Sequence, residues 1–139
     1  MKTIYVKISD NCNLNCSHCY IGERKNYLLN IKQFIIWLNN YLKCATNDIF
    51  EIVFHGGEPL LYAKDILNII EQTNWCNRIK YNVTTNLAYE INDDILKVLN
   101  LCTIATSWDP IDIRFKNTKI LHLWEDNCKN IKQEVNCVE

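Results

Sequence analysis

Four times along the chain a strand-like apolar stretch is followed by apolar residues at helical spacing, and this alternation restricts the fold more than any other feature. Residues 4–8 (Ile-Tyr-Val-Lys-Ile) place β-branched side chains on one face of a short strand that ends at Ser9 and Asp10. From Ile31 the positions Phe34, Ile35, Leu38 and Leu42 trace one stripe of a helix, with Asn30 as its N-cap and Gln33 three residues on. The near-continuous apolar run at 49–54 suits a strand covered on both faces, and 63–73 carries Ile66, Ile69 and Ile70 at helical spacing. Residues 79–84 read as a third strand. The next helix starts near Asn92, where Asp93 and Asp94 suit the positive end of its dipole and Ile91 can staple onto Leu96. Residues 101–106 are a fourth strand, and Leu121, Trp124, Cys128, Ile131 and Val135 form a fourth stripe.

Alternating strands and helices predict an α/β fold: a parallel sheet with right-handed crossovers and helices on its outer face. The ligand site of such a sheet lies at the carboxyl ends of its strands, so the informative loops are 9–28, 55–62, 85–91 and 107–117. A chain of 139 residues makes one domain and is too short for two of ordinary size. Fifteen Lys and Arg against sixteen Asp and Glu leave no field to draw in nucleic acid or an anionic bilayer. The N-terminus lacks the pattern of a secretory signal, and the longest apolar run, 34–38, cannot span a membrane, so a cytoplasmic location is expected. In that compartment eight cysteines point to metal or redox chemistry before disulfides.

Two constellations carry that chemistry. Cys12-Asn13-Leu14-Asn15-Cys16-Ser17-His18-Cys19 follows the first strand directly, and a CxxxCxxC loop can curl three thiolates toward one place. Sulfur ligands at this density select zinc or iron-sulfur. Zinc would need a fourth ligand, such as His18 or His55, whereas a cubane on three cysteines leaves one iron open to a small molecule. The second constellation, His55-Gly56-Gly57-Glu58-Pro59, ends the second strand and holds two of the three glycines and one of the two prolines in the chain. Absent side chains at 56 and 57 let the backbone approach a ligand closely, Pro59 fixes the turn, and Glu58 offers a carboxylate to a cation such as an ammonium.

Together these segments resemble the radical S-adenosylmethionine (radical SAM) enzymes, whose first βα loop carries CxxxCxxC and whose second strand ends in Gly-Gly-Glu-Pro. Thr84-Thr85-Asn86 resembles the family's Thr-Asn-Gly element, and Ser107-Trp108-Asp109-Pro110 its Ser-x-Asp-Gly element. The resemblance implies a partial (βα)4 portion of the family's partial TIM barrel, filling residues 1–139 as a single core domain that lacks the C-terminal βα units. It implies that Cys12, Cys16 and Cys19 ligate three irons of a [4Fe-4S] cluster whose open iron chelates S-adenosyl-L-methionine. Gly56, Gly57 and Glu58 would hold the methionyl amino group, His18 would lie near the adenine, and Asn86, Ser107 and Asp109 would face the ribose or the methionyl carboxylate. Arg114 could pair with that carboxylate or be an exposed loop arginine, the latter being the preferred reading. The implied chemistry is reductive cleavage of the cofactor to a 5′-deoxyadenosyl radical that abstracts hydrogen. The motif forms are most similar to the peptide- and protein-modifying branch. The implied partners are a flavodoxin- or ferredoxin-type electron donor and a peptide or protein substrate.

The chain departs from the pattern at Leu87 and Pro110, where the family has glycine, and in stopping after four βα units. A second chain or self-association would then cover the last strand's open edge. Cys44, Cys76, Cys102, Cys128 and Cys137 read as scattered thiols, and Trp37, Trp75 and Trp124 as packing residues. An activase of a glycyl-radical enzyme, and a non-catalytic metal-binding or interaction module, are the alternatives.

Overall fold

A computed structural model of the chain describes residues 1–16, 19, 21–107, 117–131 and 135–138. The elements alternate as expected: β1 (Lys2–Lys7), α1 (Ile31–Cys44), β2 (Phe50–His55), a 3-10 turn (Pro59–Tyr62) running into α2 (Ala63–Thr73), β3 (Ile79–Thr84), α3 (Asp93–Leu101), β4 (Thr103–Ser107), α4 (Thr118–Asn130) and β5 (Val135–Val138). All neighbouring strands pair in parallel, in the order β1-β2-β3-β4-β5. The fold is the parallel α/β sheet that the periodicities predict.

Helices α1 and α3 begin where their polar residues dictate. Asn30 Oδ1 accepts the amide of Gln33 at 3.2 Å, and Asn92 Oδ1 accepts that of Ile95 at 2.8 Å, so both caps satisfy an otherwise orphaned donor. Leu96, the expected staple partner of Ile91, stays about half exposed. Register follows from alternation: Val6, Phe54, Val83 and Ile104 sit side by side across β1 to β4, all buried against the helices. Leu38 and Leu42 of α1, Ile66, Ile69 and Ile70 of α2, and Val98 and Leu99 of α3 close over that face in one core cluster. The opposite face carries Thr3, Glu51 and Asn82, with the Glu51 carboxylate accepting hydrogen bonds from Thr3 and Asn82.

The fourth stripe divides. Helix α4 ends at Asn130, and Val135, which shares its spacing, opens β5 and pairs with Ile104 of β4. A four-residue strand gives too few alternations to compete with a helical period that happens to continue through it. The β4 edge is therefore covered from within the chain. At the amino end of the sheet, Arg78 donates to the carbonyls of Ala45 (2.6 Å), Asp48 (2.6 Å) and Leu42 (3.1 Å), capping α1 and fixing the turn into β2. Trp37 stacks between Phe34 and Tyr41 along α1, and Trp124 donates to Thr106, so both pack against neighbours. Among the described residues, no helix is long and apolar enough to cross a membrane.

Candidate metal centre

Loop 1, residues 9–28, leaves β1 at the carboxyl rim and carries the motif cysteines. Cys12, Cys16 and Cys19 are thiols, each partly exposed, and the Cys19 amide donates to the Cys16 carbonyl at 3.3 Å to close a turn between the second and third. Arg24, on the return limb, donates to the carbonyls of Cys12 (3.4 Å) and Leu14 and so ties the two limbs together. Asp10 helps: its buried carboxylate pairs with Lys7 and accepts the amide of Lys25 at 3.1 Å.

Loop 2, residues 55–62, is stitched directly to loop 1. The Gly57 amide donates to the Ser9 carbonyl and the Glu58 amide to the Asn11 carbonyl, both at 2.8 Å. A Cβ at position 56 would lie 2.4 Å from the Ser9 oxygen, and one at 57 only 2.2 Å from the Asn11 oxygen. Gly56 also has φ of +145°, a conformation that favours glycine. The sequence reading gave this space to a ligand; the group that fills it is the backbone leading into Cys12.

Glu58 is 1% exposed, and its carboxylate is turned into loop 3, residues 85–91. Oε1 accepts from the Thr85 hydroxyl (2.6 Å) and the Leu60 amide (3.2 Å), and Oε2 from the Asn86 amide (2.8 Å). Burial outweighs these three donors and pushes the Glu58 pKa up to about 7. The Thr85 hydroxyl also meets the Tyr89 phenol at 2.7 Å, whose own pKa is raised by burial and then by the Glu58 charge. Asn86 reaches across to loop 1: its Nδ2 stands 3.7 Å from Cys12 Sγ and 2.8 Å from Asn13 Oδ1, and its Oδ1 accepts the Ala88 amide at 2.9 Å. Cys12 Sγ receives a second donor, the Leu14 amide, at 3.4 Å. Burial nevertheless raises the Cys12 thiol pKa, and the Glu58 charge adds to that push, against the Leu14 amide, Arg24 and Asn86.

Loop 3 is held from behind as well. Leu87 adopts φ of +53° with its side chain fully buried, so a leucine takes the left-handed conformation of the glycine that the motif would place there. Asn127 of α4 is buried, and its Nδ2 donates to the carbonyls of Leu87 and Tyr89, each at 2.7 Å. The structure thus brings Cys12, Gly56, Gly57, Glu58 and Asn86 to one rim. Ser107 ends β4 at the same rim; its backbone pairs with Val138. His18, Asp109 and Arg114 lie outside the described residues. Sequence reasoning missed Arg24, Tyr89 and Asn127 and gave Thr85, though part of a motif, no role of its own; for Asn127 the one signal was a polar residue three positions after Trp124, on a helix's apolar side.

The donor set suits an iron-sulfur cluster: three thiols in one loop, partly open to solvent, the first already approached by two N–H groups. Among the described residues, no three His, Cys, Asp or Glu side chains gather as ligands of a single ion do. Cysteines that each bind a different iron of a cubane stand further apart than ligands of one ion, so the arrangement remains compatible with the cluster.

Residues 3–123 match the family model described as a 4Fe-4S single cluster domain. An uncharacterized protein of Methanocaldococcus jannaschii is 32% identical, over 86% of this chain and 44% of that protein. One of Archaeoglobus fulgidus is 28% identical, over 62% of this chain and 20% of its own length. The chain thus spans less than half of the curated relatives it matches. Among solved structures, anSMEcpe with bound AdoMet and Cp18Cys peptide superposes with a TM-score of 0.68 at 21% identity, over 98% of this chain and 42% of that one. Streptococcus suis SuiB bound to precursor peptide SuiA superposes at 0.67 and 19% identity, over 98% and 32%. These likenesses establish a shared fold.

Proposed function

The chain belongs to the 4Fe-4S single cluster domain family, and from that premise we propose that it is a radical SAM enzyme, or the N-terminal part of one, acting on a peptide or protein. One observation carries the reading: the Gly56–Gly57–Glu58 segment and the cysteine loop are joined by two backbone hydrogen bonds at the carboxyl rim of a parallel sheet. That is where such a sheet places its ligand. Solved proteins of the same fold hold AdoMet and peptides, which supports both the cofactor and the substrate class.

In this reading Cys12, Cys16 and Cys19 would hold a [4Fe-4S] cluster that would bind S-adenosylmethionine. When bound, the pair supplies one-electron cleavage of a sulfonium and, from it, hydrogen abstraction. The chain's own residues position and shield. Loop 2 sets the height of the rim beside Cys12, and the buried Glu58, whose pKa burial pushes up to about 7, is a carboxyl whose ionised form an ammonium group bound at the rim would favour. His18 is assigned to the adenine, and Ser107 and Asp109 to the ribose or carboxylate. A flavodoxin- or ferredoxin-type donor supplies the electron. The β5 strand takes the β4 edge, so a second chain or self-association would be needed only past β5.

The test is anaerobic reconstitution with iron and sulfide, reduction, addition of S-adenosylmethionine and measurement of 5′-deoxyadenosine. Wild type forms it and Cys16→Ala does not. Equal product from Cys16→Ala would overturn the ligand assignment. Absence of product from wild type carrying a full cluster would overturn the enzymatic reading in favour of a cluster-binding module.

A further inference from the structure

Resting on the cluster reading above, we infer that Asn86 sets the reduction potential of the cluster by donating a hydrogen bond to the sulfur of Cys12, and that Asn127 acts through it as a positioning residue. The sequence pattern assigned Asn86 to the ribose or carboxylate of a bound cofactor. Its side chain is already committed within the protein. Both Nδ2 hydrogens have acceptors, Cys12 Sγ at 3.7 Å and Asn13 Oδ1 at 2.8 Å, and Oδ1 takes the Ala88 amide at 2.9 Å. The main chain is fixed too, because the Asn86 amide donates to buried Glu58 at 2.8 Å.

The rest of loop 3 holds this pose. Asn13 returns a hydrogen bond from its own Nδ2 to the Ala88 carbonyl at 2.9 Å, so residues 13 and 86–88 form a closed ring of contacts beside Cys12. From the other side Asn127 clamps the carbonyls of Leu87 and Tyr89, the residues flanking Ala88. A buried amide that satisfies two backbone carbonyls of a loop with a left-handed leucine removes that loop's alternatives. Helix α4 thereby reaches the cluster ligand through Asn127 and loop 3.

The consequence is electrostatic. Reduction adds negative charge to the cluster and its sulfurs, so an N–H aimed at a ligating sulfur stabilises the reduced form more than the oxidised form and raises the potential. Loss of the Asn86 donor lowers it. Loss of the Asn127 clamp lets Asn86 drift and lowers it less.

The experiment is a redox titration of the reconstituted full chain without S-adenosylmethionine, followed by the electron paramagnetic resonance of the reduced cluster, with iron and sulfide measured per chain. Asn86→Leu shifts the midpoint to a more negative value with iron content unchanged. Asn86→Asp keeps the shape and the Ala88 contact, turns a donor into an acceptor and shifts the midpoint the same way; it carries the test where the leucine variant does not fold. Asn127→Leu gives a smaller shift of the same sign, and the double variant Asn86→Leu with Asn127→Leu shifts no further than Asn86→Leu. An unchanged midpoint in Asn86→Leu or Asn86→Asp overturns the role of Asn86, and additive shifts in the double variant overturn the route from Asn127. A wild-type chain that takes up no iron overturns the cluster reading itself, a result separable from the others by the iron assay.

Discussion

Gly57→Ala tests the contact on which the site is built. Position 57 is not in the left-handed region, so the added methyl meets a steric problem and no conformational one. Its Cβ would stand 2.2 Å from the Asn11 oxygen, 2.6 Å from the Asn11 carbonyl carbon and 2.6 Å from the Asp10 oxygen. All three atoms are backbone and none can swing aside as a side-chain tip would, so loop 1 and loop 2 must separate. Separation stretches the two 2.8 Å hydrogen bonds from Gly57 and Glu58, each worth about 1 kcal/mol. Overpacking of a tight contact adds about 1–3 kcal/mol, for a total of about 3–5 kcal/mol. Against a domain stability of about 5–15 kcal/mol this is a large fraction. At roughly 4 °C per kcal/mol it lowers the melting temperature by about 12–20 °C.

Gly22→Ala is the internal control. Gly22 has φ of +63° and nothing within 4 Å of its would-be Cβ, so alanine there costs only the left-handed penalty of about 1–2 kcal/mol. Thermal unfolding of the cluster-free chain, followed by circular dichroism, separates the two: Gly57→Ala loses clearly more than Gly22→Ala, by about 1–4 kcal/mol. Because the displaced backbone is the residue before Cys12, Gly57→Ala also takes up less iron on reconstitution. Equal melting temperatures for the two variants would refute the argument that the glycine pair exists for contact between loops.

Three further outcomes follow from the same geometry. Glu58 titrates near 7 in the fold against 4.5 unfolded, so the native state holds the extra proton and its stability falls as pH rises from about 4.5 to 7; the loss is about 3 kcal/mol, measurable by urea unfolding of the cluster-free chain at pH 5 and pH 8 and absent from the pH profile of Glu58→Gln. Leu87→Gly relieves a left-handed residue, worth about 1 kcal/mol, but empties a fully buried site worth about 2–5 kcal/mol, so restoring the motif's glycine lowers the melting temperature. Arg78→Lys leaves at least one of three carbonyls without its donor and lowers stability by about 1–3 kcal/mol in the same assay, with no effect on iron uptake because Arg78 sits at the opposite end of the sheet.

How far the sequence could be read depended on the range of the interaction. Strands and helices were legible because alternation and the 3.6 period are local, and the caps at Asn30 and Asn92 act within three residues. Val135 misled because four residues of strand continued a helical stripe. The cysteine spacing and the glycine pair were legible as motifs, but what the glycines face was not: a missing side chain shows that something comes close and cannot say whether it is a ligand or loop 1. Glu58 shows the same ambiguity from the other side. A carboxylate after two glycines at a sheet's carboxyl rim reads as a hand held out to a cation, yet burial and three internal donors make it first a brace for loop 3.

That bracing connects stability to chemistry. Asn86, Glu58 and Asn127 come from positions 28 and 41 residues apart along the chain (58 to 86, and 86 to 127), and they meet only because parallel strands deliver successive loops to one rim. A site assembled this way has little freedom to tolerate change in one loop alone. The leucine at 87 illustrates it: the backbone keeps the left-handed turn, the new side chain fills the core behind it, and Asn127 takes up the two carbonyls that the turn exposes. Departure from the motif at one residue is compatible with an intact site where the geometry it encoded is supplied by neighbours, and here the neighbour is a helix no motif mentions.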